Sequence, residues 1–185
     1  MPPSDPHNPA RSGELWNLDR IKKQLETVLF LTAECRGVSL SGGIAWHFMS
    51  PKGHPEVKIF HDHKDIDLFV EPDEFSGLVR TLKDSGFQKV WTKYDNPSGQ
   101  FVRYVEKFEG GKNVLDIYVQ SVPHIDVETG DEAVEVVQVV EPSHLIGLYE
   151  TTHSSKECTA VKAAKELLAQ GISPVGRPEL VGNRI

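Results

Sequence analysis

Two acidic residues at the start of an apolar segment constrain this chain more than any other feature. Asp65 and Asp67 flank Ile66 and lead into Leu68-Phe69-Val70. In a β-strand, side chains two residues apart point to the same face, so the two carboxylates would lie together. Neighbouring carboxylates raise each other's pKa unless a cation lies between them, and Mg²⁺ prefers carboxylate and phosphate oxygens. The segment therefore predicts either a divalent metal site or the solvated edge of a strand.

A third acidic residue, Asp116, lies inside the apolar segment 114–119. A carboxylate in an otherwise apolar strand costs free energy unless it has a partner. If this strand neighbours the one that carries Asp65 and Asp67, the three acids would share a metal ion. Asp116 would then be placed to accept a proton from an attacking hydroxyl. The alternative is a carboxylate on the wet face of an antiparallel sheet.

The segment Ser41-Gly42-Gly43 separates a short predicted strand, 38–40, from a predicted helix that begins at Ile44. Two glycines allow the backbone to approach an anion closely, and the first turn of a helix offers unpaired N–H groups. The segment fits a phosphate site in which Ser41 adds a hydroxyl contact. It also fits a simple turn.

The remaining pattern predicts the α+β class, with a mixed β-sheet and flanking helices. A loop is expected at 50–56, and Trp46 and Trp91 are expected to be buried anchors. Helices are expected at 14–36, 71–86, 141–149 and 156–170, and strands at 57–60, 66–70, 87–94, 101–108, 114–119 and 134–140, with a hairpin turn at 109–113.

Composition limits the classes of function. The net charge of −7 argues against extended nucleic-acid binding, which needs clustered Lys and Arg, and no apolar stretch approaches the length that crosses a membrane. The two cysteines, Cys35 and Cys158, lack metal-type spacing, and we expect reduced thiols and a cytoplasmic protein. We expect a disordered lead-in at 1–13, one domain at 14–172 and a loosely held tail at 173–185. The oligomeric state does not follow from the sequence.

Two histidines allow a different metal site. His61 and His63 are spaced by one residue and precede the acidic pair, so in a strand they would share its face. Such a cluster would suit zinc or another transition metal. Ordinary surface histidines are the other interpretation.

Taken together, these motifs resemble the DNA-polymerase-β-like nucleotidyltransferase superfamily. Leu40-Ser41-Gly42-Gly43 resembles its hydrophobic-Gly-Gly/Ser signature, Asp65-Ile66-Asp67-Leu68 its paired acids, and Asp116 its third acid. Gly-Gly-x-Ala at 42–45, followed by His63 before the paired acids, is similar to the small aminoglycoside and lincosamide nucleotidyltransferase branch. The resemblance implies a nucleotidyltransferase-like fold with flanking helices.

The resemblance implies Mg²⁺-dependent transfer of a nucleoside monophosphate, with ATP as the expected donor. Asp65, Asp67 and Asp116 would bind Mg²⁺, and Asp116 would activate the acceptor hydroxyl. The acceptor would be a small molecule or a protein side chain, and pyrophosphate would be released.

The same resemblance assigns the nucleotide contacts. The backbone N–H groups of Gly42 and Gly43, with Ser41, would hold the terminal phosphates. Two further contacts are candidates from the residues themselves: His63 would contact phosphate or orient Asp65, or have no role, and Lys156 on the last helix would reach the triphosphate or lie on a solvated helix face.

The sequence departs from the family pattern between Gly43 and Asp65, where a longer connection replaces the usual short one. The family's Arg two residues before the His is His61 here. These departures leave open a second interpretation, in which the chain is a non-catalytic nucleotide-binding or interaction module that retains the fold.

Overall fold

A mixed seven-stranded β-sheet organises the chain. The computed structural model describes residues 18–54, 59–60, 65–95, 99–129, 136–152, 159–176 and 179–180. Its helices are α1 (Leu18–Glu34), α2 (Gly42–Trp46), α3 (Phe75–Asp84), α4 (Pro142–Thr152) and α5 (Thr159–Ala169), with a 3-10 turn at Pro72–Glu74. Its strands are β1 (Val38–Ser41), β2 (Met49–Pro51), β3 (Ile59–Phe60), β4 (Ile66–Val70), β5 (Gln88–Val90), β6 (Phe101–Phe108), β7 (Gly111–Val119), β8 (His124–Glu128), β9 (Val136–Val140), β10 (Ile172–Pro174) and β11 (Glu179–Leu180).

The large sheet has the strand order β5-β6-β7-β4-β1-β9-β8. Two neighbouring pairs, β4 with β7 and β1 with β9, are parallel, and the other pairs are antiparallel. Two small sheets add β10 to β2 and β11 to β3. The predicted α+β class with a mixed sheet and flanking helices is therefore confirmed.

Helix α1 covers one face of the sheet, where it contacts β1, β7 and β9. On that face Asn113 of β7 donates a hydrogen bond of 2.9 Å to the hydroxyl oxygen of Thr27. Leu115 and Ile117 lie two and four residues after Asn113 in the strand, so their side chains point to the same face. Both are fully buried. Asp116 therefore points to the opposite face, away from α1.

The hairpin between β6 and β7 forms where the sequence predicts it. Phe108 pairs with Gly111 across a two-residue turn, and Gly110 adopts a φ of 90°. This backbone conformation favours glycine, which explains Gly110. The turn is shorter than the predicted 109–113, because β7 begins at Gly111. The turn fixes the register of the whole hairpin, including the pairing of Arg103 with Asp116.

Three further local predictions differ from the structure. Residues Met49–Pro51, expected at a helix end and in a loop, form β2, which pairs with Ile172–Pro174, so that strand pairing extends into the expected tail 173–185. Strand β8 lies in a segment with no predicted strand. Trp91 is 77% exposed, because β5 ends at Val90 before it. Trp46 is buried as expected.

Among the described residues, no helix combines the length and the apolar character needed to cross a membrane.

Helix α4 begins with a side-chain cap from Glu141. The Glu141 carboxylate accepts hydrogen bonds from the backbone N–H groups of Ser143 and His144, at 3.2 and 3.0 Å. The Ser143 hydroxyl also donates to it. These bonds hold the pKa of Glu141 below its usual value, with the Ser143 hydroxyl as the largest cause. Pro142 follows in the first helical position, where its missing N–H costs nothing.

We expect Glu141→Ala to lower the free energy of unfolding by about 1 kcal/mol at neutral pH, because it removes this cap. The folded pKa lies below the unfolded one, so the cap contributes fully above the unfolded pKa and is lost as the pH falls through the folded pKa. Urea unfolding of the original protein and of the variant measures the loss of unfolding free energy at pH 7 and at pH 3. Replacement of the solvent-exposed Glu166 by Ala is the control. An equal loss at both pH values would contradict the assignment.

Candidate functional site

Residues from the three sequence motifs meet in one row across the centre of the sheet. Ser41 of β1 lies opposite Asp67 of β4, and Asp67 lies opposite Asp116 of β7. Arg103 of β6 extends the row, because it lies opposite Asp116. Residues opposite each other in a sheet project to the same face. We name Ser41, Asp67, Asp116 and Arg103 the acid row, and it lies on the face opposite α1.

The Asp67 carboxylate packs directly against the glycine turn. Gly42 has a φ of 64°, and a β-carbon built on it would lie 2.3 Å from Oδ2 of Asp67. Such a separation is far inside van der Waals contact, so any side chain at this position would displace the carboxylate. Both the backbone conformation and the space therefore require glycine here.

Asp67 lies in a strongly acidic environment. Burial, as the largest cause, and the charges of Asp65 and Asp116 together raise its pKa to about 8, while the charge of Arg103 opposes them. Asp65 directly precedes β4 and is half-buried. A cation beside these groups would favour the ionised form of Asp67 and offset the repulsion. The charge of Asp65 thus acts on Asp67, the other paired acid of the sequence motif.

Arg103 forms a two-point ion pair with Asp116, which sequence reasoning missed. Its Nε donates to Oδ1 at 2.6 Å and its second guanidinium nitrogen, Nη2, donates to Oδ2 at 2.9 Å. The Asp116 side chain is 9% exposed and that of Arg103 is 32% exposed. The predicted turn at 109–113 gives a different register, because Arg103 lies opposite Asp116 only when a two-residue turn pairs Phe108 with Gly111.

The carboxylates suit Mg²⁺ by their chemistry, because hard oxygen ligands are what this ion takes. In the described part of the chain, however, no three His, Cys, Asp or Glu side chains form a group that could hold a metal ion. Arg103 contacts both carboxylate oxygens of Asp116, and its guanidinium supplies the positive charge beside that carboxylate. The acids are therefore brought into one neighbourhood, and a metal shared by all three remains a proposal.

The glycine turn offers backbone rather than side-chain contacts. Gly42 and Gly43 are half-buried, and they open a helix of only five residues. Ser41 is 5% exposed and its hydroxyl makes no capping bond to that helix. A helix this short contributes little dipole, so any anion here would depend on the backbone N–H groups themselves.

Three of the expected site residues lie outside the described residues. They are His61 and His63, which also carry the transition-metal hypothesis, and Lys156. Their predicted roles stay predictions.

Comparison with known proteins finds similarity to solved structures. No family model and no curated protein matches the chain. A crystal structure of the lincosamide antibiotic adenylyltransferase LnuA, bound to lincomycin, aligns with 13% sequence identity and a TM-score of 0.48. The alignment covers 85% of this chain and 99% of the other. At this TM-score, the roles of individual residues do not follow from the pair.

The contact between Gly42 and Asp67 can be tested by stability. We expect Gly42→Ala to cost about 3 kcal/mol or more, because a left-handed backbone and a buried clash add together. Gly86→Ala is the matched control, since Gly86 has a φ of 90° with open space around it and should cost about 1 kcal/mol. Equal losses in urea unfolding would show that the carboxylate does not pack against Gly42.

The ion pair of Arg103 with Asp116 can be tested by a double-mutant cycle with Arg103→Gln and Asp116→Asn. We expect a coupling energy of about 1–2 kcal/mol, because the carboxylate is buried and bound at two points. The exposed pair of Lys165 and Glu150, 2.7 Å apart, is the control and should couple by less than about 0.5 kcal/mol. A coupling no larger than that of the control would contradict the assignment.

Proposed function

We propose that this protein transfers a nucleoside monophosphate from a nucleoside triphosphate to a hydroxyl group, with Mg²⁺ and with release of pyrophosphate. The observation that supports it most is the acid row. Ser41, Asp67 and Asp116 come from three distant motifs and yet lie opposite one another on neighbouring strands. The glycine turn lies against the central carboxylate. This is the juxtaposition that phosphoryl transfer needs, because the reaction depends on positioning and charge neutralisation.

The glycine turn is the proposed phosphate site. The backbone N–H groups of Gly42 and Gly43 would bind the terminal phosphates, and the Ser41 hydroxyl would add a contact. Both glycines are half-buried. His63 and Lys156 are further proposed phosphate contacts.

Asp65, Asp67 and Asp116 are the proposed Mg²⁺ ligands. When bound, Mg²⁺ would neutralise charge on the phosphates and on these carboxylates. Asp67 fits this role because burial and its neighbours disfavour its ionised form in the absence of a cation.

The transfer forms one bond and breaks one. The acceptor oxygen attacks the α-phosphorus, and the bond from the α-phosphorus to the oxygen of pyrophosphate breaks. Asp116 is the proposed acceptor of the hydroxyl proton. Each carboxylate oxygen has two acceptor sites, so Asp116 keeps one on each oxygen while it is bound by Arg103. Arg103 would therefore act as a positioning residue that fixes the orientation of the carboxylate.

The same ion pair favours a second candidate, a non-catalytic nucleotide-binding or interaction module. Arg103 already neutralises Asp116, as a metal ion otherwise would. Calorimetry with ATP separates the two candidates. A catalytic protein should bind ATP only with Mg²⁺ and lose that binding in Asp67→Ala, whereas a module has no such requirement.

The direct test is incubation with each of four labelled nucleoside triphosphates, Mg²⁺ and a metabolite extract, with ATP as the first donor. Pyrophosphate release and labelled products are measured. We expect Asp67→Asn to lower the rate by about a hundredfold or more, since it removes charge stabilisation at the reacting phosphate.

Asp126→Asn is the control, because it makes the same chemical change at an exposed residue of β8 and should leave the rate within about twofold. Either absence of release with all four nucleotides or an unchanged rate in Asp67→Asn would overturn the proposed function.

A further inference from the structure

A row of aromatic rings runs beside the acid row. Phe69, Tyr118 and Phe101 lie opposite one another on β4, β7 and β6. The ring centroids of Phe69 and Tyr118 are 5.2 Å apart, and those of Tyr118 and Phe101 are 5.1 Å apart. Tyr94 continues the row with an edge-on contact to Phe101 at 6.2 Å. We name these four residues the aromatic row.

Two rings of the aromatic row face solvent. Tyr94 is 61% exposed and Tyr118 is 36% exposed, whereas Phe69 and Phe101 are buried. The buried rings contact the exposed ones, Phe69 and Phe101 on either side of Tyr118 and Phe101 at the ring of Tyr94. A rigid aromatic ring that is open to solvent loses little conformational entropy when it stacks against a ligand.

The aromatic row lies on the same face of the sheet as the acid row. Phe69 is two residues after Asp67, and Tyr118 is two residues after Asp116. Residues two apart in a strand share a face and are separated by about 7 Å. The two rows are therefore adjacent and parallel, at a distance that one small molecule can span.

The glycine turn lies on the other side of the acid row. Strand β1 runs antiparallel to β4, so it passes from Ser39, opposite Phe69, to Ser41, opposite Asp67, and then into Gly42. Along the strands the order is glycine turn, acid row, aromatic row. The aromatic row is thus on the side of the carboxylates that faces away from the proposed phosphate site.

Because the transfer is in line, this order indicates the side from which the acceptor would approach. The attacking and leaving oxygens lie on opposite sides of the phosphorus. If pyrophosphate leaves toward Gly42 and Gly43, the acceptor hydroxyl must approach from the side of the aromatic row. The rings are then next to the acceptor rather than next to the terminal phosphates.

We propose that the aromatic row binds the acceptor, and that the acceptor is a small hydroxyl compound with a planar ring that stacks on Tyr94 and Tyr118. This rests on the proposed function for the direction of attack. Planar rings match the offset and edge-on geometries in which the row's own rings already meet. A saturated ring system of the same size offers no π-face and fits these geometries less well.

The test measures binding alone, without nucleotide or metal. Naphthaleneethanol and its fully hydrogenated analogue are titrated into the full chain, and dissociation constants are obtained by ligand-observed NMR. We expect the aromatic compound to bind at least about threefold more tightly than the saturated one, and Tyr94→Leu to weaken it about three- to tenfold. Tyr118→Leu should weaken binding in the same way. If Tyr118→Leu does not fold, the result for Tyr94→Leu decides the test.

Trp91→Leu is the matched control. Trp91 is more exposed than Tyr94, but the Lys89 ammonium lies only 3.1 Å from its ring centroid, whereas the Lys93 ammonium lies 5.0 Å from the centroid of Tyr94. Its loss should leave binding unchanged. Equal affinities for the two compounds, unchanged binding in Tyr94→Leu, or equal weakening in Trp91→Leu would overturn the proposal.

A nucleotide base is the competing occupant, and ATP binding to Tyr94→Leu in the presence of Mg²⁺ distinguishes it. Unchanged ATP affinity supports the acceptor, and weakened ATP affinity with unchanged naphthaleneethanol binding overturns it. The outcomes also separate this proposal from the proposed function. Ring binding without pyrophosphate release refutes only the transfer reaction, whereas pyrophosphate release without ring binding refutes only the aromatic site.

Discussion

The parallel pairing of β4 with β7 is the constraint on which the site depends. It places Asp67 directly opposite Asp116, and a shift of one residue would send one carboxylate into the apolar layer under α1. That layer contains Leu68 and Ile117, both fully buried, so the hydrophobic effect holds the register. Apolar packing on one face of the sheet therefore offsets the repulsion between the acids on the other face.

How much of this the sequence predicts depends on how local each feature is. The strands around Asp67 and Asp116 and the glycine turn were predicted because each has a local apolar or turn pattern. Their assembly in one neighbourhood was expected only from the family resemblance, because β4 and β7 pair through contacts that no short segment encodes. The ion pair of Arg103 depends on the length of the hairpin turn, which has two residues where a turn at 109–113 was predicted. The ion pair was missed because an Arg in a predicted strand is usually interpreted as a solvent-exposed residue.

The errors in secondary structure have the same origin. Strands β2 and β10 are three residues long, contain Ser-Pro, and exist because each is the other's partner. Trp91 is exposed because a local bond ends β5 early. The side chain of Asp95 accepts from the backbone N–H of Thr92 at 2.7 Å, which turns the chain away from the sheet. Local turn chemistry therefore overrode the apolar alternation that extended the predicted strand to residue 94.

The charges of the acid row also explain how the chain can fold with three acids in one neighbourhood. Arg103 neutralises Asp116, and a carboxyl with a pKa of about 8 is mostly protonated at neutral pH. Asp67 thus adds little negative charge to that of Asp65 before any cation binds. This differs from small zinc domains, whose folding depends on the metal. A cation at this site would have to displace the proton of Asp67 and share Asp116 with Arg103, so its binding would be coupled to that of the negatively charged ligand that accompanies it.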